Sequence, residues 1–424
     1  MSDRKAFQKF LILWFGELIS SVGSGLSSFG LGIHVFQKTG LATSTALITL
    51  LAFLPTLLFT PLAGVLADRH DRRILMIIGE GFSALGLFYI LQCMRNGGAD
   101  LLQIGIGVAF SSVFVSLIEP SYKATVSDLL PPEDYTKASG MMQLAASSKY
   151  LVSPALAGFL MKRLSLQWLL IFDIGTILIT VFTIVIVRKG VINSKVLSKE
   201  SLWEAFREGR KELQKNKGVL ALTITAVVMT FALGFFQTLS TPMLLAFTDS
   251  EKLGIILSLS AVGMLCSSLG LGIFPIRRTH LRKLSLSLIV AGVCMAGFGA
   301  GTRLVPLCIF GFLFFSMLPI ANANIDYLVR INIDNEVQGR VWSLIGVISQ
   351  SGYIAAYAVS GILADRVFTP MFTKSGLLFD SVGAVIGRGE GRGSGFLIIL
   401  AGFLLCMMAL VLPKVRSVSA LEKK

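Results

Sequence analysis

Apolar residues along this chain run in continuous blocks of roughly twenty or more positions, separated by short polar stretches and without sustained alternation. Wound as α-helices rising ~1.5 Å per residue, such blocks match the thickness of a bilayer's hydrocarbon core. Hydrocarbon offers no partners to backbone N–H and C=O groups, so a spanning segment must satisfy them within itself, as a helix does. A transmembrane β-barrel would instead show short strands with apolar and polar residues alternating. Twelve blocks are legible, among them 10–36, 43–67, 101–128, 137–161, 167–187, 219–247 and 339–365. The first is too long for the apolar core of a secretory signal and lacks a small-x-small cleavage site, so it is expected to stay as a membrane helix.

The longest strongly charged stretch, Arg188 to Lys217, falls between the sixth and seventh blocks. The expected organisation is therefore an N-terminal six-helix bundle at 1–187, a linker at 188–218 and a C-terminal six-helix bundle at 219–424. In the linker, Ser201 stands three residues before Glu204, a capping-box signature. Leu202, Phe206 and Leu213 follow near helical spacing, which predicts an amphipathic helix on the membrane surface. Residues 366–394 read as a flexible loop, glycine-rich at its end, with a short interfacial helix over 377–386.

Composition strengthens this picture. The chain is 54% hydrophobic and 15% charged, against about 45–50% and about 25% for soluble domains. Its net charge of +14 is distributed by topology. With the N-terminus inside, 26 of the 38 Lys and Arg fall on inner segments and 10 on outer ones, which places both termini in the cytoplasm. Bases spread over many short loops do not form a nucleic-acid surface. The five cysteines have no CxxC spacing and no His neighbours, so no metal or redox chemistry is indicated. There is no Walker loop and no nucleophile triad, so neither an enzyme nor an ATP-driven pump is indicated, and no cofactor is expected.

Charges inside the blocks are costly, at about 2.5–3.5 kcal/mol each on insertion scales, and so mark candidate sites. Glu119, before Pro120, and Lys149 lie at similar depth on consecutive helices, which suggests a Glu119–Lys149 pair. Glu17 stands in the small-residue stretch GELISSVGSG, suited to lining a cavity. These three are the proton- or substrate-site candidates. Glu80 reads as close to a cytoplasmic helix end, and Asp173 as a structural residue near the outer interface.

Two runs share Gly-x-Leu-Ala-Asp-Arg: GVLADRHDRR, Gly64 to Arg73, and GILADRVFTP, Gly361 to Pro370. The helix count places them on opposite sides of the membrane. Asp365 and Arg366 are expected to cap their own helix end, with no further role. The first run resembles the loop between the second and third helices of the major facilitator superfamily, Gly-x-Leu-Ala-Asp-Arg-x-Gly-Arg-Arg, with Asp71 where that pattern has its second Gly. KTGLATSTALITLLAFLPTLLFTPLAGVLADRHDRRILMI, YLVSPALAG and GRVWSL are similar to the macrolide-efflux branch of bacterial drug:proton antiporters. Ser153, Pro154, Ala157 and Gly158 resemble a degraded form of the antiporters' Gly-Pro-x-x-Gly-Gly motif.

The resemblance implies a major facilitator fold: an all-α membrane protein of twelve helices in two six-helix bundles. It implies a cytoplasmic gate of Gly64, Asp68, Arg69, Arg72 and Asp128. Asp68 would face the start of the eleventh helix at Gly339 and Arg340, and Arg72 would pair with Asp128. It further implies efflux of amphipathic, macrolide-like molecules by alternating access, with protons as the coupling ion, in the plasma membrane of a bacterium. Its partners would be membrane lipid and a small-molecule substrate, and the protein would act as a monomer. A lipid, lysophospholipid or other amphipathic-metabolite transporter of the same fold is the alternative.

Overall fold

The computed structural model describes residues 3–188, 202–274, 276, 278–373 and 376–423. Among them are twelve helices long and apolar enough to cross a membrane: α1 Lys5–Thr39, α2 Ala42–Arg69, α3 Arg72–Arg95, α4 Leu101–Leu129, α5 Pro132–Met161, α6 Leu166–Arg188, α7 Lys217–Leu245, α8 Ser250–Ile273, α9 His280–Ala300, α10 Leu304–Arg330, α11 Val337–Met371 and α12 Arg392–Lys414. Each takes up one of the apolar blocks read from the sequence. Several start on local chemistry. Asp100 and Gln103 form a capping box at α4, while Asn216 and Asp249 accept from first-turn N–H groups of α7 and α8. Asp71 does the same for α3, accepting from Arg73 N–H at 3.0 Å.

Two helices break where the sequence carries an interior proline. In α4 the regular helix stops at Val115 and resumes at Ile118, just ahead of Pro120. In α5 it stops at Leu151 and resumes at Ser153, ahead of Pro154. A proline lacks the N–H for the i→i−4 bond and its ring crowds the preceding turn, so the break precedes it.

The chain falls into two compact units, one of Met1–Thr39 with Leu47–Ser198 and one of Gly40–Ala46 with Lys199–Lys424. The first turn of α2 thus groups with the C-terminal unit. Within the first unit α1 packs on α5 and α6, and α3 on α4 and α6. Within the second, α7 packs on α11 and α12, and α9 on α10 and α12, so each unit repeats the same pairing.

Small residues allow these helices to approach. A Cβ on Gly86 of α3 would fall on the carbonyl oxygen of Gly107 of α4, and one on Gly107 would meet Gly86 O at 2.8 Å. Gly86→Ala is therefore expected to cost about 1–3 kcal/mol, because backbone cannot move aside as a side chain can. The thermal midpoint of the detergent-solubilised protein should fall accordingly. Gly272→Ala, where a Cβ meets nothing within 4 Å, should hold or raise it through helix propensity. Equal midpoints for the two variants would contradict this account of the α3–α4 crossing.

Two sequence expectations change. The linker helix Leu202–Lys215 buries Leu213 and packs on α11, with Gly209 so close that a Cβ would lie 2.8 Å from Arg340 O. At these two positions the helix is turned to protein, where the sequence suggested a membrane surface. Ser201 and the side chains of Leu202, Glu204 and Phe206 lie outside the described residues. The stretch after α11 is packed rather than loose. Phe372, fully buried, gathers Ile386 and Ile399, and Arg392 donates to Gly301 O at 3.2 Å and Ile386 O at 3.1 Å. The short helix there is Val382–Ile386, and Gly387, Gly389 and Gly391 supply the positive-φ turns that lead into α12.

Candidate functional site: an acid-lined cavity in the N-terminal unit

Within the N-terminal unit lies a cavity of about 820 Å³. α1 contributes Glu17, Ser20 and Ser24, α3 contributes Glu80 and Ser83, α4 contributes Glu119 and Tyr122, α5 contributes Lys149, and α6 contributes Asp173. The helices that carry these groups are locked by contacts just outside the cavity. Thr180 Oγ1 donates to Gly16 O at 2.8 Å, which fixes α6 against α1 beside Glu17. Trp14 Nε1 donates to Met141 O at 2.6 Å, fixing α1 against α5. Ser153 Oγ donates to Val22 O at 3.0 Å, and Gly25 of α1 faces Ser153 with no room for a Cβ. Ser153, Pro154, Ala157 and Gly158 are all buried, so the helix-five stretch forms a close α1–α5 seam.

Of the acids, Glu80 is 3% and Asp173 is 2% exposed. Ser20 Oγ lies 3.4 and 3.5 Å from the two carboxylate oxygens of Glu80. Glu17 Oε2, Asp173 Oδ1 and the Tyr122 hydroxyl are buried without a hydrogen-bond partner among the described residues. No ion pair among the described residues engages Glu17, Glu80 or Asp173. Buried carboxyls that lack a fixed cation are the groups through which a membrane protein handles protons or cationic ligands.

Glu119 is placed differently. Its side chain is 73% exposed and bonds Lys123 at 2.6 Å, one helical turn on. The expected Glu119–Lys149 pair is not made. Glu119 lies with Lys123 in the helical stretch Ile118–Leu129, where residues four apart are neighbours, and Lys149 stands elsewhere on the cavity wall. Sequence reasoning passed over Glu80 and Asp173, and a signal for them existed. Neither has a Lys or Arg three or four residues away, whereas Glu119 has Lys123 at i+4.

The charged turn between α2 and α3 forms a second cluster in the same unit. Arg72 Nη1 donates to Asp128 Oδ1 at 2.6 Å and to Ala124 O at 3.1 Å, and Arg72 Nε donates to Ala67 O at 3.3 Å. Arg73 Nη2 lies 3.9 Å from Asp128 Oδ2. Asp71, besides capping α3, pairs with Arg188 at 3.3 Å. Around Gly64 the space is open, with nothing within 4 Å of where a Cβ would be.

The second Gly-x-Leu-Ala-Asp-Arg run does more than close its own helix. The helical course of α11 continues through it to Met371. The Asp365 carboxylate accepts from Ala42 N–H at 3.0 Å, from Thr43 N–H at 2.7 Å and from the Thr43 hydroxyl at 2.6 Å. It caps α2, a helix more than three hundred residues earlier in the chain.

Twelve membrane helices in repeated six-helix pairings, with acids gathered in a hydroxyl-rich cavity, define a membrane transporter rather than an enzyme. The model of the Major Facilitator Superfamily matches residues 13–357. The chain belongs to that family and is a multi-pass protein of the plasma membrane. Among curated relatives, macrolide efflux protein A of Streptococcus pyogenes is 27% identical over 98% of each chain. Macrolide efflux protein A of Enterococcus faecalis is 29% identical, over 71% of this chain and 94% of that one. The multidrug efflux pump Tap of Mycolicibacterium fortuitum is 22% identical, over 84% and 89%. Among solved structures, a bacterial homolog of the human lysosomal transporter Spinster, inward-facing and unoccupied, aligns with a TM-score of 0.74. It covers 100% of this chain and 99% of its own at 14% identity, which speaks to the fold alone.

Proposed function

We propose that this chain exports bulky amphipathic molecules of macrolide-like chemistry in exchange for protons, by alternating access. The observation that carries the reading is the cavity of about 820 Å³ in which Glu17, Glu80 and Asp173 converge without an ion-pair partner among the described residues. An apolar and hydroxyl-lined chamber accommodates a large ligand with few polar groups, and its carboxyls offer proton carriers or counter-charges for a basic one. The macrolide efflux proteins at 27% and 29% identity support the substrate class. Lys149 shares the cavity and would tune the local charge. Gly64, Asp68 and Arg69, with Gly339 and Arg340, would act with the Arg72–Asp128 cluster as a cytoplasmic gate. A gate of this kind must stay within a few kcal/mol of its open state to switch.

The test is transport of a labelled macrolide by the purified protein in liposomes under an imposed pH gradient. Accumulation on the acidic side that collapses with a protonophore is the expected result. Transport indifferent to the gradient would remove proton coupling. Lysophospholipid movement without macrolide movement would point to the lipid reading instead.

A further inference from the structure

Within the C-terminal unit, the end at which α9 begins is built from two segments far apart in the chain. Gly299 of α9 lies against Gly395 of α12, and Gly292 against Gly402, each with no room for a Cβ beside the other's carbonyl oxygen. As the α9 number falls the α12 number rises, so the helices are antiparallel and the end of α12 stands beside the start of α9. The chain after α12 remains at that end. Val418 and Leu421 are buried, and Asn332 Nδ2 donates to Leu421 O at 3.1 Å. The Glu422 carboxylate accepts from Leu281 N–H, in the first turn of α9, at 3.3 Å.

Bases dominate the two segments that meet. Phe274 to Lys283 holds four and no acid, and Leu412 to Lys424 holds four and one acid, Glu422. Arg278, Arg282, Lys414 and Arg416 are exposed. None of them forms an ion pair among the described residues. The N-terminal unit treats its corresponding turn, between α2 and α3, differently. There Asp128 meets Arg72 and Arg73, and Asp71 pairs with Arg188. Cations gathered at one place repel unless anions come between them, so the basic end of α9 lacks a counter-charge that its repeat supplies from protein.

An apolar surface adjoins these bases. Ile273, the last residue of α8, and Phe274 after it are large, apolar and exposed. They stand directly before the basic turn. Exposed apolar side chains at the end of a membrane helix, followed by cations, match an amphiphile with an anionic head. Guanidinium groups suit a phosphate in particular, because their planar fork reaches two of its oxygens at once.

We propose that this end of the C-terminal unit binds an anionic phospholipid. Its phosphodiester sits among Arg278, Arg282, Lys414 and Arg416, and its acyl chains lie along Ile273 and Phe274. The lipid supplies the counter-charge that ties the start of α9 to the end of α12. The proposal concerns one unit alone and is independent of substrate and coupling ion.

The test is a lipid titration of the purified full chain in a neutral detergent, read by the thermal midpoint. Short-chain phosphatidylglycerol should raise the midpoint saturably, which yields an apparent affinity. Phosphatidylcholine of the same chain length, and inorganic phosphate at equal ionic strength, should leave the midpoint where it stands without lipid. Arg278→Gln combined with Arg282→Gln should weaken the apparent affinity about tenfold. Lys414→Gln combined with Arg416→Gln should do the same from the other segment. Arg303→Gln combined with Arg366→Gln removes two exposed bases at the opposite end of the same unit. That pair should leave the affinity within about twofold, since such charges act over roughly a Debye length. An affinity unchanged in both double variants at the basic end would overturn the proposal, as would an equal loss in the opposite-end pair. So would the absence of a shift with phosphatidylglycerol, an equal rise with phosphatidylcholine, or a rise with inorganic phosphate alone, which marks a soluble-anion site.

Discussion

Glu80→Gln is expected to reduce pH-gradient-driven efflux to roughly a tenth or less while leaving the protein as stable as the parent or more so. The two effects separate because they act on different things. Glutamine keeps the volume of the side chain and an acceptor for the Ser20 hydroxyl, whose oxygen stands 3.4 Å away, so packing is preserved. It cannot exchange a proton, so any coupling that runs through this carboxyl stops. A buried acid without a paired cation is a cost to folding, and its neutral isostere relieves that cost. Asp173→Asn and Glu17→Gln should behave alike, since all three acids line one cavity. Glu119→Gln should change efflux by no more than about twofold, because its carboxylate, although on the same cavity wall, is already held by Lys123 at 2.6 Å in an exposed pair. Transport assays in liposomes, alongside thermal midpoints in detergent, read both quantities. Efflux by Glu80→Gln at the parent rate with the parent pH dependence would remove this carboxyl from the mechanism.

Asp128→Ala is expected to act in the opposite sense, through stability. Asp128, 7% exposed at its side chain, sits between Arg72 at 12% and Arg73 at 2%. Removing the carboxylate takes away the anion that both poorly hydrated guanidinium groups approach. Breaking a buried ion pair from one side costs about 3–5 kcal/mol, because the remaining charge stays desolvated. The thermal midpoint should drop clearly, and the amount of folded protein in the membrane should fall with it. Asp128→Asn, which still accepts a hydrogen bond, should lose less. A double-mutant cycle with Arg72→Ala would recover part of the loss, since that variant removes one of the stranded charges. A midpoint equal to the parent's in Asp128→Ala would show that the cluster is hydrated and structurally idle.

These two predictions mark what could be read from the chain and what could not. The Arg72–Asp128 contact was accessible through the resemblance at GVLADRHDRR, since a short charged turn is a local pattern. The capping role of Asp71 was accessible too, as an Asp directly before an apolar helical run. The acids were harder. Counting residues from a helix end gives depth, and by that measure Glu119 looked central. Depth says nothing about partners, and Lys123, one turn on and on the same cavity wall, takes up the Glu119 carboxylate. Glu80 and Asp173 looked peripheral on depth, yet α3 and α6 turn both into the cavity.

By itself the sequence determined the solvent, the secondary structure and the number of spans. Those follow from runs of apolar residues and from hydrogen bonds that close within four residues. It also carries the caps at the starts of α3, α4, α7 and α8, which depend on neighbours in the chain. Tertiary structure alone decided which face of each helix meets which partner. It brought Glu17, Glu80 and Asp173 to one cavity from three helices, and it set Asp365 on Ala42, 323 positions away. The two Gly-x-Leu-Ala-Asp-Arg runs show the difference most plainly. They share Gly-x-Leu-Ala-Asp-Arg, but one glycine meets open space and the other meets the backbone of Thr43. The reason is physical: a helix forms on local bonds, whereas its orientation is selected by packing and polar contacts between residues that the chain keeps far apart.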